Sequence, residues 1–302
     1  MSTVSVVVLS WNTRELLRVC LEHVYASEPV PHEVVVVDNA SEDGSAELVA
    51  ERFPDAKLIR NDRNEGFAKG CNIGIHAADA DHVFLLNSDT EVAPNAIHLL
   101  ANWLDEHPEY GATAPRLQHP DGGLQPTCMA FPGFWTPLFF MTPFERWWPN
   151  SPELKRYFLR DWDQLDSRDV AQPPAAALMV RSDLLEKLEG FDERLWLFFN
   201  DVDLSKRLDE GGWKTRYVAE SRVVHHVGAS TSKFLDFAGE YHRNRLVYYR
   251  KHFGRWVGPW VKLCVTLSFL DHCVVQTLER WRKRPAMPLG PLTRSYLSFL
   301  RA

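Results

Sequence analysis

Three polar clusters stand at the ends of short apolar runs: Ser10-Trp11-Asn12 after residues 4–9, Asp38-Asn39 after 33–37, and Asn87-Ser88-Asp89 after 82–86. Carboxylates in such positions are hard oxygen donors. They suit magnesium or manganese, ions that keep coordination positions open for phosphate oxygens. Neither GxGxxG nor GxxxxGK[ST] occurs, so a phosphate-bearing ligand would need this kind of metal partner instead of a glycine-rich loop. A second acidic cluster, Asn200-Asp201-Val202-Asp203-Leu204, opens a helical stretch. Acids in a first helical turn also complement the helix dipole, so a capping role stands beside a chemical one. His225-His226 ends a strand-like run. Adjacent strand residues point to opposite faces, so one of the two at most can serve a given site, and ordinary hydrogen bonding is the alternative for both.

The elements that would carry these clusters alternate. Residues 4–10, 33–38, 58–60 and 82–86 read as buried strands, and 45–52 and 66–78 as helices, with a further helix starting near Pro94. Asn12 with Glu15 has the form of a capping box leading into Leu16, Leu17, Cys20, Leu21 and Val24. Residues 175–180 suggest a strand, 182–188 a helix, and 217–218 and 222–227 strand pieces. The pattern predicts an α/β fold with a mostly parallel central sheet and helices on both faces. In such sheets ligands sit beyond the carboxyl ends of the strands, where the three polar clusters fall.

The chain has 302 residues, 45% hydrophobic and 25% charged, enough for one large domain with an appendage or for two smaller ones. A net charge of −6 argues against a general nucleic-acid binder. Five cysteines without a CxxC pair indicate neither a zinc site nor a disulfide framework, and they fit a reducing cytosol. The first residues lack a basic region and a long apolar stretch, so a cytoplasmic chain is expected. Residues 129–174 are rich in proline and aromatics, including Trp135, Phe139, Phe140, Trp147 and Trp148. This stretch reads as an irregular lid or acceptor-side segment, or else as a plug of the core. Toward the end, Trp260, Leu263, Leu267, Leu270, Val274, Leu278 and Trp281 share a helical face opposite Lys262, Thr266, Gln276 and Arg280, with Arg282, Lys283 and Arg284 following. The interruptions speak against a transmembrane helix and for one lying in the plane of an anionic membrane surface, or packed on protein.

As a set, SVVVLSWN (5–12), VVVDNASEDGS (35–45), NEGFAKGCNIGI (64–75), LLNSDTEV (85–92), GFDERLWLFFNDVDLSKRL (190–208) and VVHHVGAS (223–230) resemble glycosyltransferase family 2. Its members are inverting enzymes with the GT-A fold, and the likeness is nearest to the rhamnosyltransferase-like and galactofuranosyltransferase-like branch. The resemblance implies a transferase domain over 1–253, divided into a nucleotide-binding half (1–110) and an acceptor and catalytic half (111–253), with a helical extension at 254–302. It implies that Asp38 meets a uracil or thymine ring and that Ser10 and Asn12 line the same pocket. Asn64, Gly66 and Asn72 would approach ribose and phosphates. The family's DxD motif falls on Asn87-Ser88-Asp89, leaving Asp89 as its one carboxylate for Mg2+ or Mn2+, and a histidine 24 positions after the base falls on His225, with His226 adjacent. Asp201 takes the position of the catalytic base, Asn200 replaces the usual acid before it, and Asp203 is expected to pair with Arg207. Arg243, in an Arg-Asn element, would face phosphate or a solvated surface.

The implied partners are a nucleotide-diphosphate sugar, dTDP-rhamnose among them, a cell-surface glycan or lipid-linked saccharide acceptor, and a membrane surface at the cytoplasmic face, with a homodimer left open. A sugar nucleotidyltransferase and a non-catalytic glycan- or membrane-binding relative are the alternatives.

Overall fold

The computed structural model describes residues 2–226, 237–282 and 289–301. Residues 227–230 of the histidine motif, and Lys283 and Arg284 of the basic cluster, lie outside the described residues. Two compact units divide the chain: Met1–Met129, Trp162–Trp196 and Asn200–Lys233 form an α/β unit, and Ala130–Asp161, Leu197–Phe199 and Phe234–Ala302 a helical one.

In the α/β unit the apolar runs become β1 (Val4–Ser10), β2 (Glu33–Asp38), β3 (Lys57–Arg60) and β4 (His82–Asn87), which lie parallel in the order β3-β2-β1-β4. Alternation along β1 divides the core. Val6 and Val8 pack with Leu17, Cys20 and Leu21 of α1 (Arg14–Tyr25) and with Leu100 and Leu104 of α4 (Ala96–Glu106). Val7 faces the other way, toward Ala68 and Cys71 of α3 (Phe67–Ala77) and Leu204 and Leu208 of α9 (Asn200–Glu210). Helices on both faces follow directly from strands that are apolar on both sides.

Beyond β4 the sheet is mixed, where a mostly parallel one was expected. β8 (Ala177–Arg181) runs antiparallel to both β4 and β6 (Tyr110–Gln118), β9 (Lys214–His225) is parallel to β6, and β5 (Thr90–Val92) and β7 (Arg168–Asp169) pair antiparallel with β9. The crossover rule binds only strands joined by a helix across the sheet face. β8 follows β6 after a long connection that is no helical crossover and includes the short edge strand β7, so it is free to enter reversed. β9 is one strand, where two pieces were expected, because the register with β6 slips between Pro115–Val218 and Arg116–Arg222. That irregularity breaks the apolar alternation without breaking the strand.

The capping box at Asn12 does not form. Asn12 has φ 53, Thr13 holds the N-cap position, and the Arg14 N–H is met by Asp43 Oδ2 at 2.9 Å. The Asn12 side-chain oxygen instead accepts from Glu42 N–H at 2.8 Å.

In the helical unit, the proline- and aromatic-rich stretch contributes α5 (Thr136–Phe139), α6 (Pro143–Trp147) and α7 (Pro152–Tyr157). Phe139 and Phe140 pack against Phe144, Tyr157 and Phe158, whereas Trp135, Trp147 and Trp148 are more than half exposed. Then follow α10 (Phe237–Phe253), α11 (Gly258–Trp281) and α12 (Leu289–Arg301). Residues 255–281 are long and apolar enough to cross a membrane by length and composition. The apolar row expected from the helical wheel is on the outside: Leu263, Leu270, Val274, Leu278 and Trp281 are exposed, while Val261, Cys264 and Val265 are buried. The polar side packs on α12, with Lys262 Nζ donating to Leu300 O and Thr266 Oγ1 meeting the Tyr296 hydroxyl, both at 2.9 Å.

The turn before α9 is sterically exacting. Gly190 has φ +63, and a Cβ there would lie 2.3 Å from Asn72 Oδ1. Gly190→Ala should lower the unfolding free energy by roughly 2 kcal/mol or more, the sum of left-handed strain and overpacking, and with it the denaturation midpoint. An unchanged midpoint in urea would contradict this packing.

Candidate functional site

The carboxyl ends of β1, β2 and β4 adjoin because the strands are in register: Ser10 lies beside Asp38, and Leu9 beside Asn87. Asp38 is buried. Its Oδ2 accepts from Ser41 N–H at 3.0 Å, whereas its Oδ1 is buried with no hydrogen-bond partner among the described residues. An orphaned carboxylate oxygen in a dry site calls for a donor from a ligand. Asn39, for which no separate role was expected, organises the neighbouring loop. Its Nδ2 donates to Asn64 Oδ1 (2.9 Å) and Gly66 O (3.1 Å), and its Oδ1 accepts from Asn61 Nδ2 and Glu65 N. Asn64 thus shapes the loop with its oxygen, which also accepts from Gly66 N–H at 2.9 Å. Gly66, at φ +85, lies against the Trp196 indole, leaving no room for a Cβ.

Beneath these groups runs a chain of buried hydroxyls, Ser10 to Thr13 (3.1 Å) and Thr13 to Ser88 (2.8 Å). Ser10 and Ser88 are therefore supports for the strand ends, with hydroxyls already engaged. Asn87, half-buried, takes its backbone bonds from the fold: its N–H reaches Ala176 O at 2.9 Å and its carbonyl accepts from the Thr90 hydroxyl. Asn12 joins the β1 and β2 loops through Ser41 and Glu42.

Asp89 and His225 meet because β5 pairs with the end of β9, Thr90 opposite His225. His226 N–H locks the register by donating to Asp89 O at 2.9 Å. His225 Nε2 stands 3.4 Å from Asp89 Oδ1. On the other side of the ring, Nδ1 is 2.9 Å from Gln125 Oε1, while Gln125 Nε2 faces His225 O at 3.4 Å. A carbonyl can only accept, so the amide orientation is fixed and Nδ1 is the protonated ring nitrogen. Nε2 then faces a carboxylate oxygen, with a lone pair toward it when the ring is neutral. Two acceptors so placed need a proton or a cation between them, and metal bonds of about 2.1 Å each span the gap. A ring nitrogen tied to an amide oxygen is also the usual support of a ligating histidine. Among the described residues no group of three or more His, Cys, Asp or Glu side chains is placed to hold a metal. The pair thus fits a hard cation that keeps most positions for ligand oxygens. His226 is elsewhere, its Nε2 2.6 Å from Glu91 Oε1.

Asp201 opens α9 half-buried. Its Oδ1 accepts from Val202 N–H at 2.8 Å, and Ala175 N–H also reaches the carboxylate. Burial raises its pKa from the ordinary value against these bonds. Ala175 precedes the residue whose carbonyl receives Asn87 N–H, so the start of β8 holds Asp201 near the end of β4. Asp203 is buried and pairs with Arg207 at 2.8 Å, as expected, and that guanidinium also binds Leu188 O and Gly190 O.

Two expected ligand contacts are otherwise employed. Asn72 donates through Nδ2 to Phe191 O (2.9 Å) and Glu193 Oε1 (3.2 Å) and accepts from Phe191 N–H (2.8 Å), so both donor positions of its amide hold the 190–193 loop instead of facing a nucleotide. Arg243 belongs to the helical unit, where it pairs with Glu240 at 2.8 Å and reaches Ser298. Its neighbour Asn244 accepts from the backbone N–H groups of Leu197 and Phe198. Gln125→Leu, which removes the support of His225, should weaken Mn2+ binding in the presence of nucleotide by about 10–100-fold while leaving the fold intact. Unaltered Mn2+ affinity in a titration would break the link between Gln125 and the ion.

Residues 5–176, more than half of the chain, match the glycosyl transferase family 2 profile. An N-acetylglucosaminyl-diphospho-decaprenol L-rhamnosyltransferase of Mycobacterium tuberculosis is 29% identical over 84% of this chain and 87% of its own length. Among solved structures, the fold is similar to that of the mannosyltransferase PcManGT from Pyrobaculum calidifontis, in complex with GDP-Man and Mn2+, at TM-score 0.57 and 17% identity over 100% of this chain and 81% of that one. GalNAc-T7 with UDP, GalNAc and Mn2+ gives TM-score 0.60 at 18% identity over 76% of this chain and 44% of that one. With the GT-A architecture, the motif-bearing strand ends and the family match together, the chain belongs to glycosyltransferase family 2, in its rhamnosyltransferase-like branch, and is a glycosyltransferase.

Proposed function

We propose that this enzyme transfers a sugar with inversion from a nucleotide diphosphate, UDP- or dTDP-linked and dTDP-rhamnose among the candidates, to a lipid-linked or cell-surface saccharide. The observation that carries the reading is His225 Nε2 facing Asp89 Oδ1 at 3.4 Å on the sheet end to which the Ala175–Ala176 backbone ties Asp201. Asp89 and His225 would hold Mg2+ or Mn2+, whose charge stabilises the diphosphate as it departs. Asp38 Oδ1 accepts from the imide N–H of uracil or thymine, the donor that its orphaned position lacks. Asn12, Asn64 and Gly66 line the way to the ribose and phosphates, and the amide of Asn87 offers a neutral contact beside the cation.

Asp201 removes the proton of the acceptor hydroxyl. That oxygen attacks the anomeric carbon as the bond from carbon to the diphosphate oxygen breaks, and the proton stays on the carboxyl. Residues 1–253 would form the transferase domain and 254–302 an extension that rests on the cytoplasmic face of a membrane through the exposed row of α11. The relative from M. tuberculosis is named for a diphospho-decaprenol acceptor, which supports an acceptor of that lipid-linked class here.

Chelation with EDTA should abolish transfer, and Mg2+ or Mn2+ should restore it. Full turnover in EDTA would remove the cation from the reading. Asp201→Asn should cut turnover by at least about 1000-fold with nucleotide binding kept. Its Tm at neutral pH should be equal or higher, because the carboxyl whose folded pKa is raised costs stability once ionised. A base must be deprotonated, so the acid limb of the wild-type rate profile should lie above the ordinary aspartate value of about 3.9. A limb at or below that value would argue against Asp201 as the base.

A further inference from the structure

The helical unit holds a buried cation with no anion paired to it among the described residues. Arg245 of α10 is 2% exposed, and both its Nη1 and Nη2 are buried without a hydrogen-bond partner. Among the described residues it makes no ion pair. The acid nearest in sequence, Glu240, is taken by Arg243 and Asn244. One turn earlier on the same helix face, His242 Nδ1 is likewise buried and without a hydrogen-bond partner. The Arg245 charge acts on His242, Tyr249 and, from α11, Cys264; Glu153, which also acts on Tyr249, is paired with Arg156 at 2.6 Å. Burial and that charge hold His242 far below its ordinary value, at about 3, so the imidazole is neutral. An isolated buried guanidinium costs several kcal/mol unless an anion completes it, and its planar fork matches phosphate oxygens.

The same unit carries the chain's apolar exterior. Leu263, Leu270, Val274 and Leu278 form an exposed row on α11, whose inner side at Cys264 adjoins Arg245. A ligand suited to both would carry phosphate at one end and hydrocarbon at the other. We propose that Arg245, with His242 beside it, receives the phosphate or diphosphate of a prenyl-linked acceptor, with the prenyl chain along the exposed row of α11. This rests on the lipid-linked acceptor of the proposed function. It names a second anion site, distinct in residues from the one at Asp89 and His225.

The test is calorimetric titration of the full-length protein with farnesyl diphosphate, inorganic pyrophosphate and farnesol, all in EDTA so that a metal-held diphosphate does not contribute. Farnesyl diphosphate should bind more tightly than pyrophosphate, and farnesol weakest of the three. Arg245→Met should keep or raise the ligand-free Tm, since it removes an uncompensated charge, and should weaken farnesyl diphosphate binding roughly tenfold or more. Should that variant fail to fold, Arg245→Lys, which keeps the charge and loses the fork, must still lose several-fold in affinity. Wild-type affinity in the Met or Lys variant, or no binding of either diphosphate to the wild type, would overturn the assignment. Equal binding of pyrophosphate and farnesyl diphosphate, both lost in Arg245→Met, would assign the site to a free anion and overturn the prenyl source. Donor-sugar hydrolysis by the wild type needs no acceptor, so it reports separately on whether the transferase reading holds.

Discussion

A carboxylate oxygen and an imidazole nitrogen, Asp89 Oδ1 and His225 Nε2, are held 3.4 Å apart by the pairing of β5 with the end of β9. Much of the α/β unit serves to keep them there. His226 N–H fixes the β5 register through Asp89 O, Gln125 sets the tautomer of His225, and the hydroxyl chain from Ser10 to Ser88 braces the loop below. A pair so fully braced would suit a cation shared between its two atoms. With only two protein ligands, the ion would leave most of its coordination to a diphosphate, and metal and donor would then bind as partners.

The strand ends were legible because continuous β-branched runs such as 4–10 and 33–38 admit few other readings, and the polar residues that close them stand out against that background. Relations between distant segments were not. The mixed sheet arises where β8 enters after a long excursion that the crossover rule does not govern, and the slip in β9 hides one strand as two. Gln125 belongs to no motif, and only the fold brings it to His225. Asn72 shows the opposite failure. Its motif was visible, but the motif serves the Gly190 turn, because an amide wedged where no Cβ fits at Gly190 has its donors used before any ligand arrives. Asn12 capped no helix because Asp43, reaching back from the next loop, already meets Arg14 N–H.

The helical unit reverses the usual logic of an amphipathic helix. α11 turns Lys262 and Thr266 toward α12 and presents leucines, Val274 and Trp281 outward, and the tryptophans of the proline-rich segment are exposed as well. Exposed apolar rows of this kind are costly in water and common where a surface meets lipid or protein. Inside the same unit, Arg245 is a charge buried without a counter-ion among the described residues. An apolar exterior over a cationic interior is a complement to an amphiphile whose charged end is a phosphate. The proposed lipid-linked acceptor would place its charged and apolar ends on these two features.

The central claim, that Asp89 and His225 share one divalent ion, is most directly tested by pulsed electron paramagnetic resonance of Mn2+ bound to the protein with UDP or dTDP. A directly coordinated imidazole should give a 14N coupling in the wild type that disappears in His225→Ala and persists in His226→Ala. A Mn2+ signal without nitrogen coupling, or one that follows His226 instead, would contradict the account.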